Sequence, residues 1–361
     1  MQEAATTPVT RPADVHDAAR IKGLKPLWLA AALVFVLASV VLGLAFGPVS
    51  LGAGDIVREL ASHLPFLGVS SPLTGTENAI LWELRAPRVA LGLLVGAMLA
   101  SAGAAYQGVF RNPLADPYLL GAAAGAGLGA TLVIAYGQDL GIGRDLRPAA
   151  AFVGAVVGVA AAYVLGSSVG GRSTAALILS GVTVAAFLTA LQTYVQQHRA
   201  DTVQEVYAWI LGQLETSGWR DVAIILPYVV LSSAILLLHR RLLDVLAVGD
   251  EEATSLGVRV ARVRLVVVGA ATLGTAAAVA LSGLIGFVGI IVPHAIRLVV
   301  GTSYRVVLPL SLAFGAGFLV FADLLARTVV APAQLPIGVV TAFFGAPFFA
   351  VVLRTSRTVQ T

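Results

Sequence analysis

Of the 361 residues, 58% are hydrophobic and only 12% are charged, against about 25% charged in a soluble domain, so the chain reads as a polytopic membrane protein. The formal net charge of +4 follows membrane topology, as shown below, and does not point to nucleic acid. There is no cysteine, which excludes disulfides, thiol catalysis and Cys-ligated metals, and no Lys follows a Gly, which excludes a Walker A phosphate loop.

Residues 1–25 are polar, with Pro8 and Pro12 among scattered charges, and read as a disordered cytoplasmic tail. The apolar run Pro26–Gly47 is longer than the core of a signal peptide and long enough to span the bilayer. Pro48–Glu83 is mixed and expected outside. Arg85-Ala86-Pro87-Arg88 opens a second span reaching Phe110. Asn112-Pro113 and Asp116-Pro117 then break the helix twice. A third span, Tyr118–Tyr136, carries Gly121, Gly125 and Gly129 at four-residue spacing, a stripe suited to close helix packing.

Further spans are expected at Arg147–Val169, Ala175–Gln197, Val222–Leu242 and Val260–Leu284. Gly286–Val300 is short and contains Pro293, so it reads as a broken or half-length helix buried by its neighbours. Val306–Ala326 and Ile337–Leu353 complete ten spans, followed by a cytoplasmic tail at 355–361. The fold class is therefore all-α, with residues 26–354 as one transmembrane domain. With an inside N-terminus, ten spans leave only eight of the 23 Lys and Arg residues outside, as the positive-inside rule requires. Omitting the short segment as a span would undo that bias.

Between the sixth and seventh spans lies Gly249-Asp250-Glu251-Glu252-Ala253-Thr254-Ser255-Leu256-Gly257-Val258. Asp250 can cap a short helix, Glu251 and Glu252 suit the positive end of its dipole, and Gly257 can end it in the left-handed conformation. Leu256 is one apolar contact with which such a helix could hold to a surface. Physics alone leaves an ordinary polar loop equally open.

Six further motifs occur in order: Arg85–Arg88, Gln107–Pro117, Trp209–Leu214 followed by Trp219, Gly286–His294, Ala322–Arg327 and Leu335–Thr341. Together with the acidic stretch they make the chain resemble the permease subunits of type II ABC importers, which take up ferric siderophores, haem and cobalamin. The resemblance covers nearly everything from the first span onward. It implies the type II permease fold and a homodimer in a bacterial or archaeal plasma membrane, with both termini cytoplasmic. It also implies two separate ATP-binding subunits, which hold ATP and magnesium, and an extracytoplasmic substrate-binding protein. This chain itself would hold no cofactor and no metal.

By the same resemblance, Gly249, Asp250, Glu251, Glu252, Ser255, Leu256 and Gly257 form the helix, residues 250–257, that couples to the ATPase. Arg85, Arg88 and Arg327 would receive acidic residues of the binding protein, although headgroup contacts explain exposed arginines equally well. Ser173 and Thr174 would line the cytoplasmic gate, or simply cap the next helix. Asp323 lies one turn before Arg327 and is expected to pair with it. His294 is expected to be a hydrogen-bonded structural residue, with haem ligation the sharper alternative. Trp209, Trp219 and Tyr207 fit an aromatic belt around the segment Thr202–Leu214. An ion-coupled secondary transporter is the competing function, but it would need working charges in mid-membrane. Ferric siderophore heads the substrate expectations, with haem and cobalamin open and molybdate a minor one.

Overall fold

A computed structural model describes residues 24–47, 51–63, 68, 70–141, 143–169, 174–215 and 218–357. The expected tails, 1–25 and 355–361, therefore lie mostly outside the described residues. Those described form an all-helical fold: α1 Pro26–Ala45, α2 Ala53–Ser62, α3 Gly75–Phe110, α4 Ala122–Tyr136, α5 Arg147–Val169, α6 Thr174–His198, α7 Val203–Ile210, α8 Trp219–Leu246, α9 Asp250–Ser255, α10 Val260–Ser282, α11 Val288–Val300, α12 Tyr304–Thr328 and α13 Ile337–Arg357. Seven of these helices are long and apolar enough to cross a bilayer, and three shorter apolar ones, in α4, α11 and α13, make up the expected ten.

Three helices form the interior. The spanning windows of α3, α10 and α12 are 78%, 72% and 67% buried, whereas that of α6 is only 17% buried and faces outward on most sides. The inner helices approach closely because glycines let them. A Cβ on Gly96 of α3 would collide with the Gly315 carbonyl of α12, and one on Gly103 with the Gly289 carbonyl of α11. The four-residue stripe works similarly between α4 and α5: Gly125 faces the Gly154 carbonyl and Gly129 faces that of Ala150. Gly121 differs from its two partners. It sits just before α4 with φ +86°, a conformation that glycine adopts without strain.

One boundary departs from the sequence expectation. The second span does not open at Arg85. Its helix starts ten residues earlier, at a capping box in which Thr74 Oγ1 accepts from the Glu77 amide (3.4 Å) and Glu77 Oε2 accepts from the Thr74 amide (2.9 Å). Residues Ile80–Arg85 then run as a π-helix, which turns Leu81 and Arg85 inward together.

The segment Gly283–Phe287 is unwound between α10 and α11. With 15 and 13 residues, α4 and α11 measure only about 22 and 20 Å, short of the roughly 30 Å hydrocarbon core. Unwound backbone, here at 283–287 and at the connections 211–215 and 334–336, needs partners inside the protein, and it finds them. Gln213 N–H donates to Ser282 O (2.8 Å), while Ile337 N–H and Gly338 N–H donate to Gly212 O (3.1 Å) and Leu211 O (3.0 Å). The Tyr118 hydroxyl donates to Ile285 O (3.1 Å) and accepts from Ile285 N–H (3.2 Å).

Gly129→Val should lower unfolding stability in detergent by about 3 kcal/mol or more, since it pushes a branched side chain into helix backbone. Gly54→Ala in α2, where a Cβ meets nothing within 4 Å, should leave stability unchanged or raise it by up to about 1 kcal/mol. Thermal unfolding of the purified protein tests both.

Candidate functional site

Polar chemistry concentrates at the two ends of the bundle, and at each end one carboxylate holds two guanidinium groups. At the end expected to face outward, called the outer end below as its opposite is the inner, it is Asp323 of α12, 1% exposed. Arg88 donates from Nε to Oδ1 and Oδ2 (3.1 and 3.2 Å) and from Nη2 to Oδ1 (2.8 Å), and Arg327 Nε lies 3.0 Å from Oδ2. The expected Asp323–Arg327 pair is present, with Arg88 as a third member that ties α3 to α12. Arg88 also reaches Gln334 Oε1 (3.1 Å), in the connection to α13.

Arg85 and Arg327 differ from the exposed arginines that the sequence suggests, being 5% and 4% exposed. Arg85 donates to the carbonyls of Leu44 and Ala45 (2.7 and 2.9 Å), and Arg327 to that of Gly43 (3.1 Å). Both satisfy the free carbonyls that end α1. The reason is the early start of α3, which buries Arg85 ten residues inside a helix instead of at its mouth. Of the three, Arg88 is the most accessible, its side chain 16% exposed.

At the inner end the carboxylate is Asp250. It lies 3.0 Å from Arg264 Nη2 on α10 and 3.4 Å from Arg111 Nη2 after α3. Asp250 is expected to cap the helix, but Gly249 takes that position with φ +149°, and the Asp250 side chain turns to the two arginines. The C-terminal expectation for Gly257 holds. At φ +82° it allows Val258 N–H to reach Ala253 O (3.0 Å) and its own N–H to reach Thr254 O (2.9 Å), the paired bonds of a Schellman stop. Leu256 is not the anchor. It is 70% exposed, and fully buried Ala253 anchors the helix instead. Ser255 Oγ turns back onto Glu252 O (2.7 Å). Glu251, Glu252 and Leu256 are exposed, the Glu252 carboxylate lying back against Gly249.

Beside α9 lies a cavity of about 480 Å³, lined among others by Gln107, Arg111, Asp244, Arg297 and Tyr304. Arg297 donates to Gln107 Oε1 and sits 5.4 Å over the Tyr304 ring, while Gln107 Nε2 donates to Gly289 O (3.1 Å). Asp244 accepts from Ser303 Oγ (2.9 Å) and from the Tyr304 amide (2.5 Å), which caps α12 from a neighbouring helix. This network has no local signature, because its members come from four separate stretches of chain. The only hints are a carboxylate in the last turn of α8 and the Ser-Tyr pair that opens α12.

Residues 111–121, between α3 and α4, are tightly folded. The Asn112 and Asp116 side chains accept from the amides of Leu114 (2.9 Å) and Tyr118 (2.8 Å). Burial pushes the Asp116 carboxyl up to about 6, against which the Tyr118 amide acts more weakly. The two ring nitrogens of His294 have no hydrogen-bond partner among the described residues, contrary to expectation, and the ring packs near Phe348 and Phe349. No cluster of three potential metal ligands occurs among the described residues. Thr174 opens α6, while Ser173 lies outside the described residues. On the outer side Trp209 is buried, Tyr207 is exposed, and Trp219 Nε1 donates to Trp82 O (2.9 Å).

The chain matches the FecCD transport family over residues 34–355. It is 43% identical over 279 residues to the cobalamin import system permease protein of Halobacterium salinarum, covering 77% of this chain and 74% of that one. It is 37% identical over 329 residues to the Fe(3+)-citrate import system permease protein of Bacillus subtilis, covering 91% and 96%. A solved metal-chelate type ABC transporter in an inward-facing conformation superposes with a TM-score of 0.79 at 28% identity, covering 92% of this chain and all of that one.

Asp323→Ala should destabilise the protein by about 3–5 kcal/mol, because it strands two guanidinium groups that are mostly out of water. Chemical unfolding in detergent measures this. For Asp116 the folded state holds its proton more tightly than the unfolded chain, whose value is near 3.8. Its contribution is complete below that value and is lost as pH rises through about 6. The stability difference between wild type and Asp116→Asn should therefore shift against wild type from pH 4.5 to 7, as read by thermal unfolding at each pH.

Proposed function

The chain belongs to the FecCD transport family, and from that premise we propose that it is the membrane permease subunit of an ATP-driven importer of metal chelates. The observation that carries the reading is the shape of α9. A six-residue helix is far too short to be stable alone, yet this one is stopped at Gly257 and tied by Asp250 to two arginines. All that construction leaves Glu251, Glu252 and Leu256 exposed to a partner. Such a helix fits a cleft in a separate ATP-binding subunit, which supplies ATP, magnesium and hydrolysis.

Two copies of this chain would enclose the pathway on a twofold axis, with an ATP-binding subunit under each. ATP binding would shift the pair between outward- and inward-open states. A substrate-binding protein would dock at the outer end through Arg88, with Arg85 and Arg327 holding the surface from beneath. The cargo class is a bulky metal chelate, a ferric siderophore first, with haem and cobalamin as alternatives. Thr174 would stand at the expected inner gate, and both termini would lie in the cytoplasm.

Glu251→Ala combined with Glu252→Ala tests the reading. Both side chains are exposed, so membrane insertion and thermal stability should match wild type. Co-purification with the ATP-binding subunit, or ATP-driven uptake in proteoliposomes, should fall at least about tenfold, on the order of 1.4 kcal/mol. If wild type never associates with an ATP-binding subunit and uptake runs on an ion gradient alone, the reading fails in favour of a secondary transporter.

A further inference from the structure

The loop at residues 111–121 touches both the inner surface and the unwound segment in the middle of the bundle. At one end Arg111 lies 3.4 Å from Asp250 of α9. At the other, the Tyr118 hydroxyl holds both backbone groups of Ile285. Between them the loop is stiff. Pro113 and Pro117 fix two φ angles, and the Asn112 and Asp116 side chains close two turns on the backbone amides. Pro117 packs so tightly on Gly289 that a Cβ there would lie 2.6 Å from its ring, and the Leu119 carbonyl presses on Gly181 of α6.

The segment it grips ends in a strained residue. Phe287 has φ +68°, a conformation that costs a bulky residue energy and marks a switch when the surroundings hold it. The next residues up, through Ser282, hold Gln213, and Gly212 in turn holds Ile337. A run of direct contacts thus leads from α9 to the outer connections at 211–213 and 336–338.

We propose that this loop is the transmission of the permease, with Tyr118 a positioning residue that carries displacement of α9 into the unwound segment Gly283–Phe287. The proposal rests on the importer reading above and adds a residue to its mechanism. Contiguity alone is a weak argument for coupling, so the test must separate coupling from mere support.

Tyr118→Phe removes only the hydroxyl. In proteoliposomes with the ATP-binding subunit and the binding protein, substrate moved per ATP hydrolysed should fall at least about fivefold, while hydrolysis and subunit association stay within about twofold of wild type. A purely supporting role would lower hydrolysis, association and uptake together, and that outcome overturns the proposal, as does unchanged coupling. A second reading uses the natural absence of cysteine. At Gly286 an added Cβ meets nothing within 4 Å, so Gly286→Cys gives a single thiol on the segment. Its maleimide labelling rate should change at least threefold between the nucleotide-free and ATP-trapped complex, and that change should vanish with Tyr118→Phe. Persistence of the change in the double variant overturns the proposal. If wild type shows no ATP-driven uptake at all, the importer reading itself is what has failed.

Discussion

Inside a bilayer every backbone N–H and C=O must find its partner within the protein, and the whole architecture answers to that constraint. Long helices meet it automatically. This chain chooses to break it at Gly283–Phe287 and at the short connections 211–213 and 336–338, and then repairs the breaks by placing them against one another. Tyr118 completes both the donor and the acceptor of a broken residue, Ile285. The glycine contacts between α3, α11 and α12 follow from the same need, because unwound backbone is shielded only if helices close tightly around it.

Charge obeys a parallel rule. A lone arginine out of water is costly, and two sharing one carboxylate are held in fixed geometry. Asp323 does this between α3 and α12, and Asp250 does it between the α3 terminus and α10. The long helix α3 is therefore held by the same device at Arg88, well inside it, and at Arg111, just past its inner end. The outer pin is almost wholly buried, whereas Asp250 remains 39% exposed, so the inner pin works in a more strongly screening environment.

Much of this was legible in the sequence, and the rest was hidden for identifiable reasons. Span number followed from hydropathy and arginine placement, since both respond directly to the bilayer. The α4 stripe and the stop at Gly257 were legible because each depends on local spacing or a single backbone conformation. Burial of Arg85 was not, because it depends on where α3 begins. The signal for that lay in Thr74-Gly75-Thr76-Glu77, ten residues outside the apolar run. The Asp250 side chain turned from capping to pairing because Arg264 and Arg111 come close only in the folded chain. The Gln107–Arg297–Tyr304 network and the Tyr118–Ile285 contact join residues as much as 190 positions apart, which no local pattern can reveal.

The length of α3 has a mechanical meaning. Its 36 residues make a rod of about 54 Å, nearly twice the thickness of the hydrocarbon core. Gly96 and Gly103, both in its C-terminal half, seat it against α12 and α11 with no side chain between. A rod of that length pivoting at such a point swings its ends in opposite directions, and each degree of tilt displaces one tip relative to the other by about 1 Å. With those contacts nearer the inner end, the arm toward the outer end is the longer, so a few degrees of rocking at the inner end would amount to ångströms of travel outside.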